Sequence, residues 1–218
     1  MKFYSFEGLD GCGKSTAMAS VAEMLKSDGK KVITTREPGG TPLGEAIRNY
    51  LLKDTSVSVG KRAEALLFAA SRAQLFEELI LLNKDEDVII LCDRFIDSSL
   101  AYQGVGNDLG FRNIEIINDF GLNGFRPNGV FYIDIPESER LKRLGNDKLD
   151  KIESRDTDFF DKVRKGFNDA GYNYLLTKKY YNQWGEEYNH NFYIIDGTKT
   201  PSEVALEIYN LIKLCEQC

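Results

Sequence analysis

Five short apolar runs recur along the chain, and the hydrophobic positions between them fall into helical spacing. The runs are Phe3-Tyr4-Ser5-Phe6-Glu7, Lys31-Val32-Ile33-Thr34-Thr35, Asp87-Val88-Ile89-Ile90-Leu91-Cys92, Gly129-Val130-Phe131-Tyr132-Ile133-Asp134 and Asn191-Phe192-Tyr193-Ile194-Ile195-Asp196. The third is almost wholly apolar, as a strand covered on both faces should be. Helical period predicts helices over Lys14–Ser27, Leu43–Leu52, Arg62–Leu82, Asp97–Tyr102, Arg112–Phe120, Pro136–Leu144, Thr157–Gln183 and Pro201–Leu214. Strands alternating with helices predict an α/β fold, a parallel sheet of five strands between two layers of helix. Gly145–Asp158 breaks the pattern. It is dense in charge and poor in apolar residues, the composition of a mobile surface flap.

Open parallel sheets bind ligands beyond the carboxyl ends of their strands, so the residues after each run carry the chemistry. After the first run comes Gly8-Leu9-Asp10-Gly11-Cys12-Gly13-Lys14-Ser15-Thr16, which fits the phosphate-binding pattern G-x-x-x-x-G-K-[ST]. Glycines let consecutive backbone N–H groups close round a phosphate, and the following helix turns its positive end to the same anion. Lys14 should reach the β- and γ-phosphates, and Ser15 should offer its hydroxyl to Mg²⁺. The strand before the loop and the helix after it are the context this pattern requires. After the second run comes Arg36-Glu37-Pro38-Gly39-Gly40-Thr41, and after the third Asp93-Arg94-Phe95. These sets should converge on one crevice.

Asp93 could hold Mg²⁺ directly or through water, or cap the next helix. Arg94 could grip a phosphate with two parallel hydrogen bonds, or pair with Glu37 or Asp97. Phe68 and Arg72 stand four apart on one helix, a ring and a guanidinium suited to a nucleobase, though spacing alone fits a core helix as well. Asp97 reads as an N-cap, with Ser99, Tyr102 and Gln103 on one face beyond it. Gln103 could read a base edge, and a plain polar helix end fits equally.

The 218 residues suffice for one sizeable core, and a net charge of −6 lacks the basic excess of a nucleic-acid binder. No run is long enough to cross a membrane, and the N-terminal run is too short for a signal peptide. A cytoplasmic protein is expected. Cys215 and Cys218 make a C-x-x-C, more simply a reduced tail than a redox or metal site. His190, the single histidine, is a poor catalytic candidate.

Gly8–Thr16, Arg36–Thr41, Leu67-Phe68-Ala69-Ala70-Ser71-Arg72 and Asp93–Gln103 together resemble the thymidylate kinases, in order and over almost the whole chain. The segment Asp93–Gln103 is the most diagnostic part. The resemblance implies one nucleoside-monophosphate-kinase-like domain over 1–218, a P-loop fold that transfers the γ-phosphoryl of ATP, with Mg²⁺, to dTMP. It implies that Gly8–Thr16 cradle ATP, with Lys14 on its phosphates and Ser15 and Asp93 toward the metal. Asp10 would sit near the acceptor phosphate and 3′-hydroxyl, Phe68 would stack on thymine, and Arg72 and Gln103 would bond its edge. Arg94, helped by Arg48, would grip the dTMP phosphate. Glu37 would lie near acceptor and metal, Ser99 would line the site, and Tyr102 would crowd the 2′ position. It also implies a homodimer.

No basic residue follows Asp10 in the loop, so the chain resembles the bacterial-type variant, whose lid supplies the cation. The lid would be about 145–158, with Lys148, Lys151 and Arg155, and Arg143 just before it. Related lids carry more arginine, and lysine lacks the planar fork. Arg143 and Arg155 are the candidates. The alternatives are a kinase for another monophosphate or a deoxynucleoside, and a nucleotide-operated switch, against which no Asn-Lys-x-Asp motif is present.

Overall fold

A computed structural model describes residues 1–54, 56–145, 150–176, 180–181, 187–188 and 191–217, without the side chains of 171–190 and 216–218. His190, Lys148 and Cys218 lie outside that description. In chain order the elements are β1 (Lys2–Glu7), α1 (Lys14–Ser27), β2 (Val32–Arg36), α2 (Pro42–Arg48), α3 (Lys61–Leu75), α4 (Leu81–Asn83), β3 (Ile89–Asp93), α5 (Ile96–Ser99), α6 (Phe111–Leu122), β4 (Gly129–Asp134), α7 (Glu137–Leu144), α8 (Thr157–Leu176), β5 (Tyr180–Tyr181), β6 (Glu187–Tyr188), β7 (Asn191–Asp196) and α9 (Pro201–Gln217). Wider π turns extend three helices, at Asn49–Lys53, Phe76–Ile80 and Leu100–Gly106.

The five predicted strands form one parallel sheet in the order β2-β3-β1-β4-β7. Alternation along the strands divides the core. Tyr4, Phe6, Leu91 and Ile133 face α1 and α9, which bring Val21, Leu25, Ile208 and Ile212. Phe3, Ile90 and Cys92 face the other way, onto Leu75, Phe76 and Leu122 of the α3 and α6 layer. A third cluster joins α8 to the sheet, where Phe167 stacks on Tyr132 at 4.8 Å between ring centres. No helix among the described residues is long and apolar enough to cross a membrane.

Two expectations are corrected. The predicted helix to Gln183 ends at Leu176, because Tyr180–Tyr181 pairs antiparallel with Glu187–Tyr188. Asp97 is not an N-cap. The helix begins at Ile96, and Asp97 is buried inside its first turn.

The sheet positions the site in two ways. β3 and β4 flank β1 on opposite sides, so the crevice opens at the carboxyl end of β1. The Leu100–Gly106 turn, which carries Tyr102 and Gln103, is pressed directly against α8. A Cβ on Gly166 would come within 2.8 Å of Ala101 Cα, so only glycine allows the contact.

Candidate active site

The loop after β1 is built by backbone geometry that side chains resist. Gly8, Gly11 and Gly13 have φ of 135°, 84° and 96°. A Cβ on Gly8 would also sit 2.5 Å from the Ile133 carbonyl oxygen. Lys14 is buried and curls over the loop, donating to the Gly8 and Leu9 carbonyls at 3.0 Å each and lying 3.5 Å from Asp10 Oδ1. Ser15 Oγ donates to Asp93 Oδ2 at 2.7 Å, so Asp93 faces the loop rather than capping a helix. A cavity of about 550 Å³ lies over this loop, with Arg143, Leu144, Gly197 and Lys199 among the residues of its opposite wall.

A second cavity, of about 290 Å³, adjoins it and shares Asp10, Ser15 and Asp93. Glu37, Arg48, Phe68, Arg72, Arg94, Ser99, Tyr102 and Gln103 all line it. Residues from four separate sequence segments therefore meet around one space.

Arg94 stands at the junction. Its backbone is left-handed, with φ 70°, uncommon for a residue with a side chain. Its N–H donates to Phe6 O at 2.9 Å, and the next N–H, of Phe95, donates to Glu7 Oε1 at 2.7 Å. The guanidinium donates to Asp10 Oδ1 at 2.7 Å, Ser98 Oγ at 3.0 Å and the Tyr102 hydroxyl at 3.3 Å, and it lies 5.0 Å over the Tyr102 ring. Its ionic partner is thus Asp10, not Glu37 or Asp97. Burial opposes the charge on Asp10, but Arg94 and Lys14 outweigh it and hold that carboxyl well below the usual range. Burial pushes the Tyr102 phenol well up.

Arg72 is wholly buried. It donates to Ser99 Oγ at 3.0 Å, Asn118 Oδ1 at 2.5 Å and Phe95 O at 3.0 Å, and its Nε lies 2.5 Å from Glu37 Oε2. Hydrogen bonds take three of its five N–H groups, and Nε faces Glu37 as an ion pair. Burial pushes the Glu37 carboxyl up to about 7 against the pull of Arg72. Arg48 donates to Pro38 O at 2.8 Å. Gln103 Nε2 donates to Glu64 Oε1 at 3.0 Å.

The family model for thymidylate kinase matches residues 6–177. The chain belongs to the thymidylate kinase family. It is 44% identical over 211 residues to a thymidylate kinase of Thermosipho africanus, spanning 97% of each chain. It is 41% identical over 212 residues to one of Finegoldia magna, again 97% of each. One of Staphylococcus haemolyticus is 36% identical over 212 residues, 96% of each.

The two arginines expected as lid cations are both held by other partners in this structure. Arg143 lines the loop cavity, but donates to Glu139 Oε1 at 2.8 Å and Gly197 O at 2.9 Å. Arg155 reaches neither cavity. It pairs with Glu64 at 2.6 Å and stacks over Phe159 at 4.6 Å. The segment around it is anchored. Ile152 is buried, and Lys151 Nζ donates to Tyr50 O and Val57 O at 3.1 Å each.

Sequence reasoning missed Glu7, Glu64, Asp150 and Glu153. Glu7 ends β1 in an apolar run, where a carboxyl that accepts from Phe95 and Ser98 looks like any strand end. Glu153 lines the second cavity opposite Asp10, and burial followed by the charge of Asp10 pushes its carboxyl up to about 7.

Proposed function

We propose that this chain transfers the γ-phosphoryl group of ATP to dTMP, giving ADP and dTDP. The observation that carries this reading is the meeting of two cavities at Asp10, Ser15 and Asp93. One lies over a phosphate loop, and the other is walled by two rings, an amide and four guanidinium groups. The first suits the donor and the second suits a nucleoside monophosphate whose phosphate points at the donor.

In this reading, an oxygen of the dTMP phosphate attacks the γ-phosphorus in line as the bond to the β-phosphate oxygen breaks. That oxygen is already ionised, so no general base is needed. The protein supplies position and positive charge. Lys14 leaves the Gly8 and Leu9 carbonyls for the donor phosphates, and Arg94 turns from Asp10 to the acceptor phosphate beside Arg48. Phe68 stacks on the base, and Arg72 and Gln103 bond its edge. Tyr102, braced by Arg94, closes the space that a 2′-hydroxyl would take. Ser99 holds Arg72 in place.

The hydroxyl of Ser15 and the carboxylate of Asp93 are hard oxygen donors side by side, which fits Mg²⁺. Bound there, the ion would offset phosphate charge.

Segment 145–158 is the lid in this reading, since Asp150, Ile152 and Glu153 roof the acceptor cavity. Arg143 is the favoured lid cation because it already lines the donor cavity. Arg155 would have to leave Glu64 first. A homodimer also belongs to the proposal. Leu66 on α3 and Ile116 and Phe120 on α6 are exposed, Phe120 by 92%. The two helices pack closely, with Gly121 against Ala73, so these apolar side chains belong to one layer.

The test is ADP formation from Mg-ATP with dTMP, dUMP, dCMP, dGMP, AMP and thymidine, alongside Arg72→Ala. A strong dTMP preference that is lost in the variant supports the assignment. Preference for another acceptor would overturn the roles of Phe68, Arg72 and Gln103, and no acceptor-dependent turnover would overturn the reading whole.

A further inference from the structure

We infer that Glu64 sets base specificity by fixing which end of the Gln103 amide faces the acceptor cavity; this rests on the dTMP reading above. Glu64 belongs to α3, is 5% exposed and does not line the cavity itself. Its Oε1 accepts from Gln103 Nε2 at 3.0 Å and from Asn107 Nδ2 at 2.8 Å. Its Oε2 accepts from Arg155 at 2.6 Å, and Arg155 also donates to Asn107 Oδ1 at 3.1 Å. The carboxyl is therefore gripped on both oxygens.

A glutamine side chain has two near-equal orientations, which exchange an acceptor for a donor. Against a carboxylate the choice disappears. Turning the Gln103 oxygen toward Glu64 would set two acceptors against each other in a buried site. The NH₂ end is thus committed to Glu64. The side-chain oxygen Oε1 of Gln103 takes no hydrogen bond from the described residues, and the residue lines the cavity while 1% exposed. The cavity wall presents an acceptor at this point.

Arg72, on the same wall, can only donate. An acceptor beside a donor matches a base edge with an N–H next to a carbonyl. That is the N3–H and O4 pair of a thymine or uracil ring. Cytosine carries the reverse pair, an unprotonated N3 beside an amino group, and would leave both protein groups unpaired. Sites of this kind reject the mismatched ligand far more strongly than apolar pockets do. Glu64 is a positioning residue, since it acts only through Gln103.

Glu64→Gln removes the obligate acceptor while keeping the shape. The experiment measures kcat/KM for dTMP and dCMP in wild type and variant, with KM for ATP and Tm alongside. The expected result is a fall of about tenfold or more in the dTMP to dCMP ratio. KM for ATP should not change, and in a Gln103→Ala background Glu64→Gln should leave the ratio unmoved. A full ratio in folded Glu64→Gln would overturn the inference. No dTMP preference in the wild type would instead overturn the reading it rests on. If the variant does not fold, wild type with N3-methyl-dTMP decides. Turnover equal to that of dTMP overturns the inference, and a loss of about tenfold or more supports it.

Discussion

Glu7→Gln should remove a pH dependence of stability that the wild type carries. Glu7 is wholly buried at the end of β1. Its Oε1 accepts the Phe95 N–H at 2.7 Å, and its Oε2 accepts from Ser98 Oγ at 2.5 Å, the hydroxyl that in turn accepts from Arg94. Burial first, and the nearby charge of Asp97 second, push the carboxyl from 4.5 to about 8, against the pull of Ser98, Arg94 and Phe95. A raised carboxyl pKa means that the folded state holds a proton the unfolded chain has lost. Its favourable contribution is complete below pH 4.5 and lost as pH rises through about 8. A gap of about 3.5 pH at about 1.4 kcal/mol each bounds that loss at about 5 kcal/mol. Gln keeps an oxygen for Phe95, and its amide can donate to Ser98 Oγ, but it does not titrate. Urea denaturation of both proteins from pH 4.5 to 8.5 gives the difference curve. It should start near zero and favour the variant by several kcal/mol at the alkaline end. The Arg94 turn should survive, so activity at pH 7 should stay within about threefold. Parallel stability curves would refute the reasoning, because they would mean that Glu7 is ionised in the fold.

Four further outcomes are expected. Arg94→Lys loses the planar fork that bridges Asp10, Ser98 and Tyr102, so KM for dTMP should rise about tenfold or more while KM for ATP holds; steady-state kinetics with each substrate varied would show the split. Phe167→Ala removes a ring stacked on Tyr132 in the α8 interface and should cost about 3–5 kcal/mol by chemical denaturation, a smaller loss meaning that α8 collapses onto the gap. Cys12 is buried, and burial pushes its thiol up, so iodoacetamide at pH 7 should label it slowly by mass spectrometry. Rapid labelling would mean that the loop opens far enough in solution to expose the thiol. Phe120→Asp should convert a light-scattering dimer to monomer with its fold kept, and an unchanged mass would place the interface elsewhere.

The sequence was most legible where physics acts locally. Apolar runs gave the strands at Gly129–Asp134 and Asn191–Asp196 to the residue, because alternation and burial leave few other registers. Helix ends were less legible. The π turn at Leu100–Gly106 still places Tyr102 and Gln103 on the cavity wall, but periodicity cannot foretell a widened turn. Most residues that line the two cavities were legible in glycine-rich and charged segments after strands and in the family resemblance, whereas Arg155 lines neither cavity. Glu64 and Glu7 gave no such signal, since one looks like any helix carboxyl and the other like a strand end.

By itself, then, the sequence determined the α/β alternation, the phosphate loop after the first strand and the set of residues that gather beyond the strand ends. Those features depend on backbone sterics and on side-chain period, which act over a few residues. Only the tertiary structure decided the partners: Arg94 with Asp10 across 84 positions, Gln103 with Glu64 across 39 and Arg155 with Glu64 across 91. A buried charge must find its counterpart wherever folding brings one within reach, and distance along the chain says nothing of that.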